Sequence, residues 1–448
     1  MLKKIISGTV LMLLLMGIVT LTFNIPTAKA WTGTVYIRDD GSIDPPTASI
    51  ERDGDVYTLI GNITSDADGI VIERNNMTLD GAGYVLQGTE ASYSKGIFLS
   101  GQSNVTIKDI NINNFHYGVL IEDSLQINIL QNNITNNIYG IWLNGASNNT
   151  LIGNMIKGSR CNFGVSGAIS FDNAFLHHFE HWIDTSNLVD SKPIYYLVNE
   201  IDRVVPLDAG YVALVNCTRI TVQKLELTKN RQGILLHTTT NSTIANNNIT
   251  ANDAYGIELC HSSNIYIFGN NITANNGDGV YLSWSSNSTL SRNNIRNNYN
   301  GIRLSGCSNN SIVGNNITLN GSDGIEFEAS NYNSISENNV TNNRFGILLD
   351  YSSTYNIVSG NNATSNNWYG IGLYSSSNNN TIFENNMIAN YAAGIALSES
   401  SNNKIYHNNF LNNADQVHIS AGYVNVWDDD YPSGGNYWSD YAGVDEKS

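Results

Sequence analysis

Residues 315–338 read NNITLNGSDGIEFEASNYNSISEN, and the same phrase recurs in slightly altered words from residue 241 to 410. Its clearest form is N-N-I-T-x-N-x-x-G-I-x-L-x-x-S-S-N-x-T-I-x-x-N. The glycine ahead of the apolar pair stands at Gly233, Gly256, Gly279, Gly301, Gly324, Gly346, Gly370 and Gly394, a period of about 23 residues. Each repeat holds three short runs such as Ser311-Ile312-Val313, Asn316-Ile317-Thr318 and Gly324-Ile325-Glu326-Phe327. Apolar residues two apart share one face of a pleat, and none of these runs is long enough for a helix.

Three short strands per rung of about 23 residues predict an all-β, right-handed parallel β-helix of the pectate-lyase-like kind. Ile and Leu stack inside, and alternate residues face solvent. The second asparagine of each N-N pair, at Asn248, Asn271, Asn294, Asn316, Asn339, Asn362, Asn386 and Asn409, is expected at a bend. There it bonds the backbone, stacks on its neighbours and tolerates the left-handed conformation of a sharp corner.

The chain has 448 residues, but a solenoid grows by repetition and needs no second core, so one long domain is expected. A net charge of −17 excludes nucleic acid and anionic membrane as partners, since either requires a basic face. Lys3 and Lys4, an apolar run over 5–23 and Ala28-Lys29-Ala30 predict a signal peptide over 1–30 and an exported, extracellular or cell-surface protein; an uncleaved N-terminal anchor is the alternative. No second hydrophobic span follows.

Residues 31–68 lack the repeat and are expected to cap the open end of the solenoid, which runs over 69–420. An irregular insertion is expected at about 168–209, where the glycine count lapses, and residues 421–448, aromatic and acidic, read as a C-terminal cap or truncated tail. Cys161, Cys217, Cys260 and Cys307 fit no metal spacing. Cys161 with Cys217 is a conceivable disulfide, and buried free thiols are the alternative. Sequons such as Asn62, Asn104, Asn248 and Asn316 are largely by-products of the N-N-I-T corner, with glycosylation open to the exposed ones.

In the G-I-x-L strand the residues after Ile and after Leu face outward. That places Glu258, Tyr281, Arg303, Glu326, Glu328 and Asp350 on five successive rungs of one face. Carboxylates on adjacent rungs approach the separation of a glycosidase pair, and Tyr281, Trp284 and Tyr374 offer flat surfaces for sugars. Ordinary surface polarity, with Arg303 and Glu326 as a weak ion pair, is the plain alternative. A glycosidase also needs one carboxyl raised by burial, which an exposed sheet is not expected to provide.

The opening stretch 69–84, the N-N-I-T and G-I-x-L rungs and the closing stretch 434–441 resemble NosD-like proteins, the periplasmic copper-binding group among carbohydrate-binding and sugar-hydrolase β-helices. The resemblance covers nearly the whole mature chain and is nearest to exported archaeal members. Members of this kind continue into an acidic, glycine-rich segment past the aromatic tail. The resemblance implies copper, yet after residue 30 only Met77, Met155 and Met387 remain, scattered, with no Cys-x-x-Cys. His177, His178 and His181 form the one histidine cluster and the candidate metal ligands, provided the insertion folds back on itself. The expectation is an exported glycan-binding or surface scaffold protein whose partner is a polysaccharide or cell-surface glycan. A lyase, hydrolase or epimerase acting on the outward groove is one alternative, and a copper-binding maturation factor, as the resemblance implies, is the other.

Overall fold

The structure, a computed structural model, describes residues 30–168, 173, 175–421, 424–430 and 432–442. In the repeat quoted above, Asn316–Thr318, Ile325–Glu328 and Ser334–Ser336 are strands. Ile317, Ile325, Phe327 and Ile335 are fully buried between them. Each strand pairs in parallel with its counterpart one repeat later, as in Arg303↔Glu326 and Glu326↔Leu348, so the chain climbs about 4.8 Å per repeat. Parallel crossovers between right-twisted strands wind right-handedly. The fold is a right-handed parallel β-helix whose rungs each place a G-I-x-L strand on a front face, an x-T-I strand on a middle face and an N-I-T strand on a back face.

The glycine column exists because the backbone turns inward there. A Cβ on Gly324 would stand 2.3 Å from Val340 Cγ1 and 2.6 Å from the Gly346 carbonyl oxygen. The clash recurs at Gly301, where a Cβ would meet Ile317 Cγ2 at 2.4 Å. Glycine and the isoleucine after it are therefore both buried, and strict alternation breaks at the start of each front strand.

The asparagines differ from expectation in a specific way. The first of each N-N pair, not the second, is the buried one. Asn338 Oδ1 accepts the backbone N–H of Asn315 at 2.9 Å and its Nδ2–H at 3.0 Å, while Asn338 Nδ2 donates to the Ile312 carbonyl at 2.8 Å and to Asn361 Oδ1 at 2.9 Å. The second asparagine forms a parallel but solvent-side ladder, one bond per rung, as in Asn339 Nδ2 to Asn316 Oδ1 at 2.8 Å. The left-handed position belongs to the residue before the pair, Gly314 or Glu337 for example, with φ of 64° and 56°. Carboxamides thus satisfy bend amides that no strand reaches.

Residues 168–209, expected as an insertion, carry a reversal of the solenoid. Leu188–Val189 ends the back sheet of the first part and pairs antiparallel with Lys192–Val198 (Leu188↔Pro193, Val189↔Lys192). Lys192–Val198 then pairs in parallel with Tyr211–Val215, which opens the front sheet of the second part. One sheet therefore continues from the first solenoid into the second while the strand direction flips. The face that lined the first interior becomes the outer face of the second front sheet. Ile194, Tyr196, Tyr211, Ala213 and Val215 pack into the first core, whereas Val212 and Leu214 pack into the second.

The ends are closed by departures from the rung. Ile43–Asp44 and Ile50–Asp53 fold back antiparallel on Val35–Ile37 and Val56–Leu59 at the start. At the far end Trp438 stacks on Phe410, ring centroids 4.4 Å apart, and Asn436 extends the buried asparagine ladder. All four cysteines are buried free thiols, which burial holds above their ordinary pKa. Residues 1–29 of the segment expected to be a signal peptide lie outside the described residues, among which no helix is long and apolar enough to cross a membrane.

Candidate functional site

The reversal decides which part of the second front sheet meets solvent. Its first rungs are covered by the last front strand of the first solenoid, Cys161–Ser166, and by the short 3-10 helix Leu176–Phe179. Gln232 bonds the Val165 carbonyl at 2.8 Å and Phe179 stacks on His237 at 4.2 Å. Glu258 lies in this covered zone. It is 6% exposed, accepts from Gln232 Nε2 at 2.8 Å and has its carboxyl raised by burial. Of the six residues placed on one face from the sequence, Glu258 is thus withdrawn from the surface.

Tyr281, Arg303, Glu326 and Glu328 do come together beyond it. Arg303 Nη2 donates to both Glu328 oxygens at 2.8 Å, Nε lies 3.6 Å from Glu326, and Nη1 lies 4.0 Å from Asp278. Its guanidinium also sits 5.6 Å from the Tyr281 ring centre. Asp350, two rungs beyond Arg303, uses one oxygen to accept its neighbour Tyr351 N–H at 2.8 Å.

Three carboxylates around one guanidinium leave an acidic floor, and burial acts on it unevenly. The Glu326 side chain is only 16% exposed. Burial, then the nearby Asp323 carboxylate, push its carboxyl up to about 7 against the pull of Arg303. Asn300 Nδ2 donates to its Oε2 at 3.0 Å. Burial likewise lifts Asp278 to about 6, opposed by Arg303. Burial disfavours the Arg303 charge, but Glu328, Glu326 and Asp278 together outweigh it and keep the guanidinium protonated. The expectation that a solvent-facing sheet provides no raised carboxyl is therefore corrected. The Asn300 and Arg303 side chains packed against Glu326, with Asp323 close by, keep water from its carboxyl.

Asp278, Asp323 and Arg344 belong to the site and were missed from the sequence. Asp323 is 1% exposed and bonds Arg344 through paired contacts of 3.0 and 2.9 Å. Asp278 and Asp323 directly precede the column glycines, where simple alternation assigns the wrong face; the signal that finds them is the inward glycine itself. Aromatic rings edge the groove on both sides. Trp284 and Tyr351 follow the front strands Val280–Ser283 and Ile347–Asp350, while Tyr299 and Trp368 precede Ile302–Ser305 and Tyr369–Leu373, and all four are exposed.

The three histidines offered as metal ligands do not converge. His177 and His178 pack edge to face at 4.4 Å on the 3-10 helix, but His181 turns into the body beside Asn149 and Tyr196, and burial lowers its pKa to about 3. Among the described residues no group of three or more His, Cys, Asp or Glu side chains is placed to hold a metal ion. The four cysteines are buried free thiols, and burial disfavours the thiolate form that binds copper.

The family model for the right handed beta helix region matches residues 52–156, 95–295 and 265–411. No curated protein matches the chain. Solved structures with a similar course include a periplasmic alginate epimerase, 15% identical over 84% of this chain and 80% of that one, TM-score 0.36. A mannuronan C-5 epimerase A-module of Azotobacter vinelandii is 13% identical over 89% and 90%, TM-score 0.33. The enzymatically active domain of bacteriophage CBA120 tailspike protein 2 is 10% identical over 52% and 46%, TM-score 0.43.

Proposed function

This chain belongs to the right-handed β-helix family, and from that premise we propose that the groove on its second front sheet binds a glycan. The observation that carries the reading is the acidic floor of Asp278, Glu326 and Glu328 around Arg303, set between exposed aromatic rims. Carboxylates accept hydrogen bonds from sugar hydroxyls, and tyrosine and tryptophan faces cover the apolar faces of pyranose rings. The excess of carboxylates over guanidinium favours neutral sugars over uronates. Lys3, Lys4 and the apolar run behind them support an exported protein that meets such glycans at or beyond the cell surface.

A polysaccharide pull-down and glycan array with the mature chain, assayed for new reducing ends in the same wells, tests this. Binding of a neutral glycan without product supports the reading. Silence on every glycan contradicts it.

Cleavage is the second reading, favoured by Glu326, whose carboxyl near 7 suits a proton donor at neutral pH. New reducing ends that disappear in Glu326→Gln would establish it. Kinship with NosD-like proteins rests on stretches 69–84 and 434–441. With its thiols buried and held above their ordinary pKa, protein purified without chelator is expected to carry less than one copper per chain.

A further inference from the structure

Three successive rungs place a polar residue directly before the column glycine: Asp278, Asn300 and Asp323, which are 3%, 2% and 1% exposed. The rungs on either side put Tyr255 and Phe345 there. Burying polar groups costs stability unless each finds a partner, and this buried run coincides with the rungs that carry Tyr281, Arg303 and Glu326.

Asn300 is the centre of the run. Its Oδ1 accepts the Asp323 backbone N–H at 2.9 Å, and because that N–H can only donate, the amide nitrogen is turned the other way. There Nδ2 donates to Glu326 Oε2 at 3.0 Å, the oxygen that also lies 3.6 Å from Arg303 Nε. Glu326 Oε1 is left with no hydrogen-bond partner among the described residues and is not sealed from solvent. The surrounding charges are uneven: four carboxyls, of Asp278, Asp323, Glu326 and Glu328, meet the two guanidiniums of Arg303 and Arg344. Glu328 takes Arg303 through paired contacts of 2.8 Å, and Asp323 takes Arg344 at 3.0 and 2.9 Å. Asp278 at 4.0 Å and Glu326 at 3.6 Å stand beyond hydrogen-bond reach of Arg303. Mostly buried carboxyls without a bonded cation favour the protonated form, in keeping with the rise of Asp278 to about 6 and of Glu326 to about 7.

We propose that Asn300 is a positioning residue: by holding Glu326 Oε2 as an acceptor it leaves the proton of this carboxyl on Oε1, which donates a hydrogen bond to an oxygen of the bound glycan. This rests on the groove being the glycan site. Glu328 and Arg303 are occupied with each other, so Glu326 supplies a neutral donor in a floor that otherwise accepts. Losing the proton turns that donor into a charge facing the same glycan oxygen. Binding is therefore full below the Glu326 midpoint and falls as pH rises through it.

Two measurements on the full mature chain from about pH 5 to about pH 9 test the assignment: carboxyl-carbon NMR with the glutamate side chains labelled, and the calorimetric Kd of the neutral glycan that binds best. In the parent, one glutamate is expected to titrate at about 7, and Kd to weaken about tenfold per pH unit above it. Asn300→Ala is expected to admit water to Glu326 and lower that midpoint by about one pH unit or more, and the falling limb of binding moves with it. Asn300→Ser keeps an acceptor for the Asp323 N–H, which guards against a folding defect, and is expected to shift the midpoint the same way. A residue that merely supported the fold would weaken binding equally at every pH. A glutamate midpoint unmoved in both variants, or parent binding independent of pH, overturns the role of Asn300 while the groove remains the glycan site. A parent that binds no glycan at any pH overturns the glycan site itself and this proposal with it.

Discussion

At Glu326 a carboxyl on an outward strand position is pushed up to about 7 because burial among side chains such as Asn300 and Arg303 shuts out water and Asp323 stands close by. Folding therefore favours its protonated form. Between about pH 4.5 and 7 the folded chain holds a proton that the unfolded chain has released. The stability this contributes is complete below the unfolded value and is lost as pH rises through the folded one. Asp278, lifted to about 6, acts in the same direction. Glu326→Gln is expected to reduce the loss of stability between pH 5 and pH 8 by about 2–3 kcal/mol, read as denaturant midpoints at the two pH values. An unchanged slope would mean that Glu326 ionises normally. Periodicity sufficed to put Tyr281, Arg303, Glu326 and Glu328 on one face. It did not reveal the burial that gives Glu326 its chemistry, because that depends on how side chains such as Asn300 and Arg303, from a neighbouring rung, pack around it.

Among the elements, the rung was the most legible part. Two apolar residues spaced by two, repeated every turn, specify strand, face and register together. The asparagine column was legible as architecture but misplaced by one residue, since both members of the N-N pair form ladders and only burial separates them. Asn338→Ala removes an acceptor used twice by Asn315 and strands several bend groups, so it is expected to lower stability by about 2–4 kcal/mol. Asn339→Ala, on the solvent side, is expected to change it by less than about 1 kcal/mol. Equal effects in chemical denaturation would overturn the distinction. Gly324→Ala forces a methyl against Val340 and a backbone oxygen, and a loss of about 1–3 kcal/mol is expected from the same measurement. The glycine is also why Asp278 and Asp323 escaped the sequence reading. It turns the backbone inward where alternation assumes a flat pleat.

For the whole molecule, the decisive event occupies the few residues between Leu188–Val189 and Lys192–Val198. Nothing in the local pattern announces it: both strands read as alternating β, and their direction relative to the rest is fixed only by distant pairing. The reversal places Tyr211, fully buried, edge to face against Phe163 at 5.0 Å, where its strand divides the two cores. Tyr211→Ala is expected to lower the melting temperature and to weaken hydrogen-exchange protection in both solenoids, since each packs on that strand. Loss confined to one half would show that they fold independently. The same reversal covers Glu258 and leaves the groove around Arg303 to begin one rung later.

On the function proposed above, the groove around Arg303 is where glycan is held. The most direct measurement is the Kd, by calorimetry, of the neutral glycan that binds best, for the parent chain and for Glu326→Gln combined with Trp368→Ala. The variant is expected to stay folded at the assay temperature and to bind at least tenfold more weakly, and an unaltered Kd would contradict the placement.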